Sequence, residues 1–266
     1  MTVSGVAATS AVALLQGALV ALPRGNALGS LRRLRSPAWA GVLPGCIVIG
    51  TFAPLGAQQF ASGLVVLAAL ATPPLAAVAV LAVVRGPRAA LAGLALMAAV
   101  LTTLAGGWAG ELSATFLTAL GALTVGAALA RLIPSWWVLA GVVCMSVVDV
   151  AFLAAGVGQP AAALIAQAAG HVPGPLLDRA QIGPISLDYP DLVLAAVLGG
   201  FLAGQRGQRR AAALVSLFAA ISLLLAPPNT MWPATVPAAI TLILLCTMAR
   251  PRGTDLAPGA RQAALV

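Results

Sequence analysis

"WWVLAGVVCMSVVDVAFLAAGVG", Trp136 to Gly158, is an unbroken apolar run with a single charge in it, Asp149. About 20 mostly apolar residues are enough for a helix to cross a bilayer, so this run predicts a membrane-spanning helix. An ionised carboxylate at that depth costs about 3 kcal/mol or more, so Asp149 must face protein or a water-filled cavity rather than lipid. Asp149 is therefore the first candidate functional residue.

The rest of the chain has the same character. Of its 266 residues 61% are hydrophobic and only 8% charged, with a mean hydropathy of +1.04. A soluble domain carries about half apolar and about a quarter charged residues, so the solvent here is lipid. All 14 basic residues are arginine, and they fall in short clusters between apolar runs, as loop charges that orient membrane helices do. This pattern excludes a nucleic-acid interface despite a net charge of +8. The apolar stretch at the N-terminus has no basic flank and is long for a signal peptide, so it is read as a retained first span. Cys46, Cys144 and Cys246 sit far apart inside apolar runs; they are expected to be small buried residues, neither a disulfide nor a metal site.

Breaks at charges, Gly and Pro divide the chain into nine expected spans: 4–22, 38–57, 61–84, 89–106, 112–130, 135–157, 182–204, 211–226 and 232–249. The third contains Pro73-Pro74 and is expected to kink. Nine spans place every arginine except Arg179 on one side, which by the positive-inside rule is the cytoplasm. The expected topology in the cell membrane is N-terminus outside and C-terminus cytoplasmic. The connection 158–181 is a long outer loop. Within it "QPAAALIAQAAG" is too short to cross and is expected to extend the sixth helix or lie at the interface. "HVPGPLLDRAQIGPI" is expected to be extended or irregular, with His171 an ordinary loop residue.

Six acids serve the whole chain. Glu111, Asp178 beside Arg179, and Asp255 read as solvated loop charges. With the seventh span starting near Ile182, Asp191 lies about 13 Å in if helical, and Asp149 about 12 Å in from the same face. Asp188 precedes Pro190, which lacks an N–H and suits a first helical turn, so Asp188 reads as a helix cap. Two carboxylates at one depth on neighbouring helices can share a proton, because like charges held close cannot both ionise. One then acts as general base on a water while the other protonates a carbonyl oxygen. That is aspartic-protease chemistry, and it needs no metal or cofactor.

With an Asp in the sixth span, "DYPDLVLAAVLGG" at the seventh and "WPATVPAAI", Trp232 to Ile240, at the ninth, the chain resembles the intramembrane aspartyl proteases, the signal peptide peptidases and presenilins. The family's Gly-x-Gly-Asp motif has here Asp188, Tyr189 and Pro190 before Asp191, and Thr235 stands for the leucine of its Pro-Ala-Leu motif. The resemblance implies an all-α fold of nine transmembrane helices in a single membrane domain, 1–266. Its N-terminal bundle of five helices spans 1–134 and its catalytic-type part, helices six to nine, 135–266. It implies Asp149 and Asp191 as the catalytic pair, and a substrate-binding role for Pro233, Ala234, Thr235 and Pro237. Asp188, Tyr189 and Pro190 would support them. Orientation matches the signal peptide peptidases, which implies single-span substrates of N-in, C-out sense. Independently of the likeness, Pro233 and Pro237 each free a carbonyl four residues back, and exposed backbone there suits pairing with an unwound strand. Two other readings compete: a proton-coupled transporter, since paired buried acids also relay protons, and a catalytically silent scaffold of the same fold. The two similar halves common in carriers are not found in the sequence.

Overall fold

The computed structural model describes residues 3–84, 93–95, 97, 98, 101, 107–171, 177–183, 185–225 and 234–248. Most of the expected fourth span, Pro233 and Asp255 lie outside them. The described helices are α1 (Val3–Ala21), α2 (Val42–Gly56), α3 (Gln58–Val78), α4 (Gly107–Leu132), α5 (Ser135–Ala154), α6 (Gly158–Ala169), α7 (Tyr189–Leu202), α8 (Gln208–Leu225) and α9 (Val236–Met248). The chain is mostly helical, as expected. Among the described residues, five helical stretches are long and apolar enough to cross a membrane: Pro37–Gly56, Gln59–Val83, α4, α5 and α8. α1, α7 and α9 are apolar but shorter.

Glycines end several of these helices. Gly156 (φ 69°) and Gly204 (φ 85°) take the left-handed conformation just past α5 and α7, which frees the chain to turn where a Cβ would strain it. Gly156 thereby makes "QPAAALIAQAAG" a helix of its own, α6, rather than an extension of α5. The expected kink at Pro73-Pro74 takes a milder form, since α3 continues through both prolines and widens into a π turn, Ala79–Val83.

The seventh span departs most from expectation. Residues 182–188 are not helical: β1 (Arg179–Ile182) pairs antiparallel with β2 (Ile185–Asp188), Ile182 opposite Ile185 and Arg179 opposite Asp188. Gly183, at φ 59°, occupies the first position of the two-residue connection, where mirror-image hairpin turns require a positive φ. The helix begins only at Tyr189, so Asp191 lies in its first turn rather than nine residues in. Glu111, expected in a loop, lies exposed on α4.

α7 forms the centre of the bundle, between α1 and α4. Every residue from Leu192 to Gly200 is buried, as befits a helix apolar on all sides. Its neighbours approach to backbone distance: a Cβ on Gly199 would stand 2.5 Å from the Leu19 carbonyl oxygen and 2.7 Å from the Val20 Cα. Small residues at such crossings let helices pack by van der Waals contact where lipid offers no hydrophobic drive. The outer helices turn large apolar side chains outward, including Ile49, Phe60, Leu70, Val147 and Leu224, and among them Cys144 and Cys246. Only Cys46 is partly buried, so the expectation of three buried cysteines fails for two, whose faces are those left for lipid.

One end of the bundle collects the arginines. Arg131 donates through Nε to Ala27 O (3.1 Å) and through Nη2 to the carbonyls of Arg24 and Gly25. Arg24 Nε donates to Val84 O at 2.6 Å, and Gln208 Nε2 reaches the carbonyls of Val20, Ala21 and Pro23. The carbonyls at the C-terminus of α1 thus find donors from α8, and the loop after it from α4. Arg179 lies at the opposite end, before α7, in an ion pair with Asp178 at 2.8 Å. Burial works against its charge, but the bond to Asp178 more than offsets this and holds the guanidinium above its ordinary pKa.

Candidate active site

Asp191 is held by the start of its own helix. Asp188 is the N-cap of α7 and Asp191 its third residue, and the two form a reciprocal capping box. The Asp188 backbone N–H donates to Asp191 Oδ2 at 3.2 Å, which satisfies one of the donors a helix start leaves over. Pro190, in the first turn, removes an N–H that had no helical partner. Asp188 thus has the capping role its sequence position suggests. Tyr189 leans on α4, its hydroxyl 3.3 Å from where a Cβ on Gly121 would stand.

Asp149 projects from the last third of α5 and is half-buried. Its partner comes from the segment leading into α9. Thr235, completely buried, donates its hydroxyl to Asp149 Oδ2 at 2.6 Å. Ser146, one turn before Asp149, donates to the Thr235 carbonyl at 3.4 Å. From α1, Gln16 Nε2 donates to the Ala234 carbonyl at 3.3 Å. Side chains from two distant helices therefore pin two successive carbonyls, and the threonine between them reaches the acid. Asp191 interacts electrostatically with Asp188 and Asp149, so the three acids share one region.

The site residues expected from sequence are brought together in part. Thr235 bonds Asp149 and the Asp188 main chain bonds Asp191, and the helices that carry these two pairs pack on one another. Thr235 offers no exposed surface to a substrate, because its side chain is sealed and spent on Asp149. Ala234 is half-buried beside it. Pro237 is in the first turn of α9, where it starts a helix instead of breaking one. Pro233 lies outside the described residues. Among the described residues, no group of three His, Cys, Asp or Glu side chains could hold a metal ion.

Gln16 and Ser146 were not singled out from sequence. Gln16 is the only amide side chain in α1, and a polar amide in a span demands a partner; that was the available signal. Ser146, three residues before Asp149 and on its face of the helix, carried a weaker one.

The hairpin leads directly into Asp188 and the start of α7. The register makes Ile182–Ile185 and Ala180–Leu187 the mutually bonded pairs, so Gln181 and Ser186 point their backbone groups outward. Gln181 is covered: Thr115 Oγ1 and the Gln181 main chain exchange bonds of 2.8 and 3.0 Å. Among the described residues, no strand pairs with Ser186 on the outer edge of β2.

No family model, no curated protein and no solved structure matches the chain.

Proposed function

We propose that the chain is an intramembrane aspartyl protease of signal peptide peptidase type, with nine spans, the N-terminus outside and the C-terminus in the cytoplasm. The observation that carries this reading is the bond between Asp149 on α5 and Thr235 just before α9, with α7, whose first turn carries Asp191, packed on both of those helices. Asp149 is aimed by the Thr235 hydroxyl at 2.6 Å and Asp191 by the Asp188 main chain.

In this reading one acid takes a proton from water, whose oxygen adds to the carbonyl carbon of the scissile peptide. The other acid gives its proton to the carbonyl oxygen, producing a gem-diol. As the diol collapses the C–N bond breaks and the leaving nitrogen takes a proton from the pair. The free edge at Ser186 suits an unwound substrate strand, because a peptide opened in lipid needs partners for its exposed amides. It leads within five residues to Asp191. Substrates are single helices of N-in, C-out sense, and no cofactor takes part.

The test is reconstitution with a helical peptide of about 25 residues and mass spectrometry of the products. Cutting within the apolar stretch, lost in both Asp149→Asn and Asp191→Asn and retained in Asp188→Asn, supports the reading. Uptake of a solute driven by a proton gradient and dependent on both acids would replace it with a transporter. Neither cutting nor transport would leave a silent scaffold.

A further inference from the structure

The segment between α1 and α2 sets two arginines on one side of a turn. Gly29–Leu34 form a 3₁₀ helix, and the Arg35 N–H closes it on the Arg32 carbonyl at 3.3 Å. Side chains three apart eclipse in such a helix, so Arg32 and Arg35 leave the backbone together and Arg33 leaves it about 120° away. All three are exposed. Arg35 is fixed in place: its Nε donates to the Ile133 carbonyl at 3.3 Å and its Nη2 to Ser135 Oγ at 3.0 Å. The Ser36 N–H beside it donates to the Leu132 carbonyl at 2.9 Å. A guanidinium has five N–H donors, so most of this fork stays free. Two cations on one ridge repel each other, and no described acid is near to answer them. Among the described residues the only ion pair is Arg179–Asp178, at the other end of the bundle with Asp188 and Asp191. Asp149 is about 21 Å along α5 from Ser135, and Glu111 about 32 Å along α4 from Leu132.

Two spans begin at this point, Pro37–Gly56 and Ser135–Ala154. Arg35 stands two residues before the first and bonds the first residue of the second, which sets its guanidinium at headgroup height. Apolar side chains share that height. Leu34 is 63% exposed between two arginines and Trp136, next to Ser135, is 71% exposed. Trp39, also exposed, donates its Nε1 to the Leu34 carbonyl at 3.2 Å. Tryptophan and arginine together are the residues of a membrane–water interface. We propose that Arg32 and Arg35 hold the phosphate of an anionic phospholipid, whose acyl chains lie along Leu34, Trp39 and Trp136. Guanidinium groups match phosphate oxygens in pairs, and the anion removes the repulsion between the two. A free anion would leave the three apolar side chains in water; a lipid covers them as it binds. A zwitterionic headgroup brings a cation of its own, so the pair selects an anionic one. The site is independent of the acid pair.

The test offers phosphatidylglycerol and phosphatidylcholine to the full chain in detergent and reads bound lipid by native mass spectrometry. We expect the wild type to retain phosphatidylglycerol about fivefold better than phosphatidylcholine, or more. Arg32→Gln should weaken that retention about fivefold. Arg33→Gln removes the same charge from the other side of the turn and should leave retention within about twofold. Both positions are exposed, and equal melting temperatures of the two variants without added lipid show that the bundle is intact. Phosphatidylglycerol should also raise the melting temperature of the wild type and of Arg33→Gln more than that of Arg32→Gln. Equal retention of the two lipids by the wild type overturns the proposal. So does an equal loss in Arg32→Gln and Arg33→Gln, which would show a diffuse positive field in place of a site. Displacement of phosphatidylglycerol by millimolar inorganic phosphate overturns it as well, because the ligand would then be a free anion.

Discussion

Thr235→Val is the sharpest probe of the site, because valine keeps the volume and shape of threonine while deleting the hydroxyl. Thr235 is completely buried, so the change exposes nothing and opens no cavity. What it removes is the 2.6 Å bond to Asp149 Oδ2. A hydrogen bond to a charged group contributes about 1.5–3 kcal/mol. If that bond serves to aim Asp149 in the reacting state, its loss lowers kcat by about 10- to 150-fold. Binding of the peptide, which Thr235 does not touch, should leave KM within about twofold. Thr235→Ser restores the hydroxyl and should recover most of the rate. The assay is initial-rate cutting of a reconstituted helical peptide, with thermal unfolding in detergent run beside it. A Thr235→Val protein that melts lower but turns over at the wild-type rate would refute the reasoning, because the bond would then hold α9 in place without aiming the acid. So would failure of Thr235→Ser to recover the rate.

The other predictions concern the frame around the site. Gly199→Val should destabilise the bundle by about 3 kcal/mol or more, since its Cβ would stand 2.5 Å from the Leu19 carbonyl oxygen; an unchanged melting temperature would contradict the close approach of α7 and α1. Arg131→Met keeps the stem but strips the carbonyls of Gly25 and Ala27 of their side-chain donor and leaves that of Arg24 with the Ala27 N–H alone. It should cost about 1–3 kcal/mol, read as a melting temperature lower by several degrees. A reporter fused after Arg35 should read cytoplasmic; an outside signal there would invert the topology.

The helices were legible in the sequence because each expected span outside 89–106 is an apolar run closed by glycine, proline or charge. α1, α4, α5, α8 and α9 start and stop within a few residues of those marks. β1 falls in the stretch expected to be extended, whereas β2 is hidden because mean hydropathy does not register period. In Ile185-Ser186-Leu187-Asp188 apolar and polar residues alternate, which is a strand pattern, and Gly183 ahead of it supplies the turn. A run of mean apolar character hides such alternation, so the second strand reads as the start of the helix that follows. The cost of that reading fell on Asp191, whose assumed depth rested on helical rise that residues 182–188 do not have.

The acids themselves were legible for the opposite reason. In a chain this apolar, a carboxylate inside a span has few tolerable surroundings, so its position alone marks it. What encloses the acids could not be seen, because apolar faces pack with one another and with lipid almost indifferently. The choice of neighbours falls to the few groups that lipid cannot satisfy. Gln16 reaches Ala234 across 218 residues of chain, Ser146 reaches Thr235 across 89, and Thr235 reaches Asp149 across 86. Each of these bonds ties α9, otherwise a short apolar helix with interchangeable faces, to one partner at one height. Gln208 and Arg131 do the same at the arginine end with main-chain carbonyls. Polar side chains at the two ends thus set which helices are neighbours and in what register, while the glycines of α7 and its neighbours set how closely they meet. The acids occupy the place where the polar ties of α1, α5 and α9 meet the capped start of α7. That is where a membrane bundle can hold two carboxylates with their hydrogen bonds made.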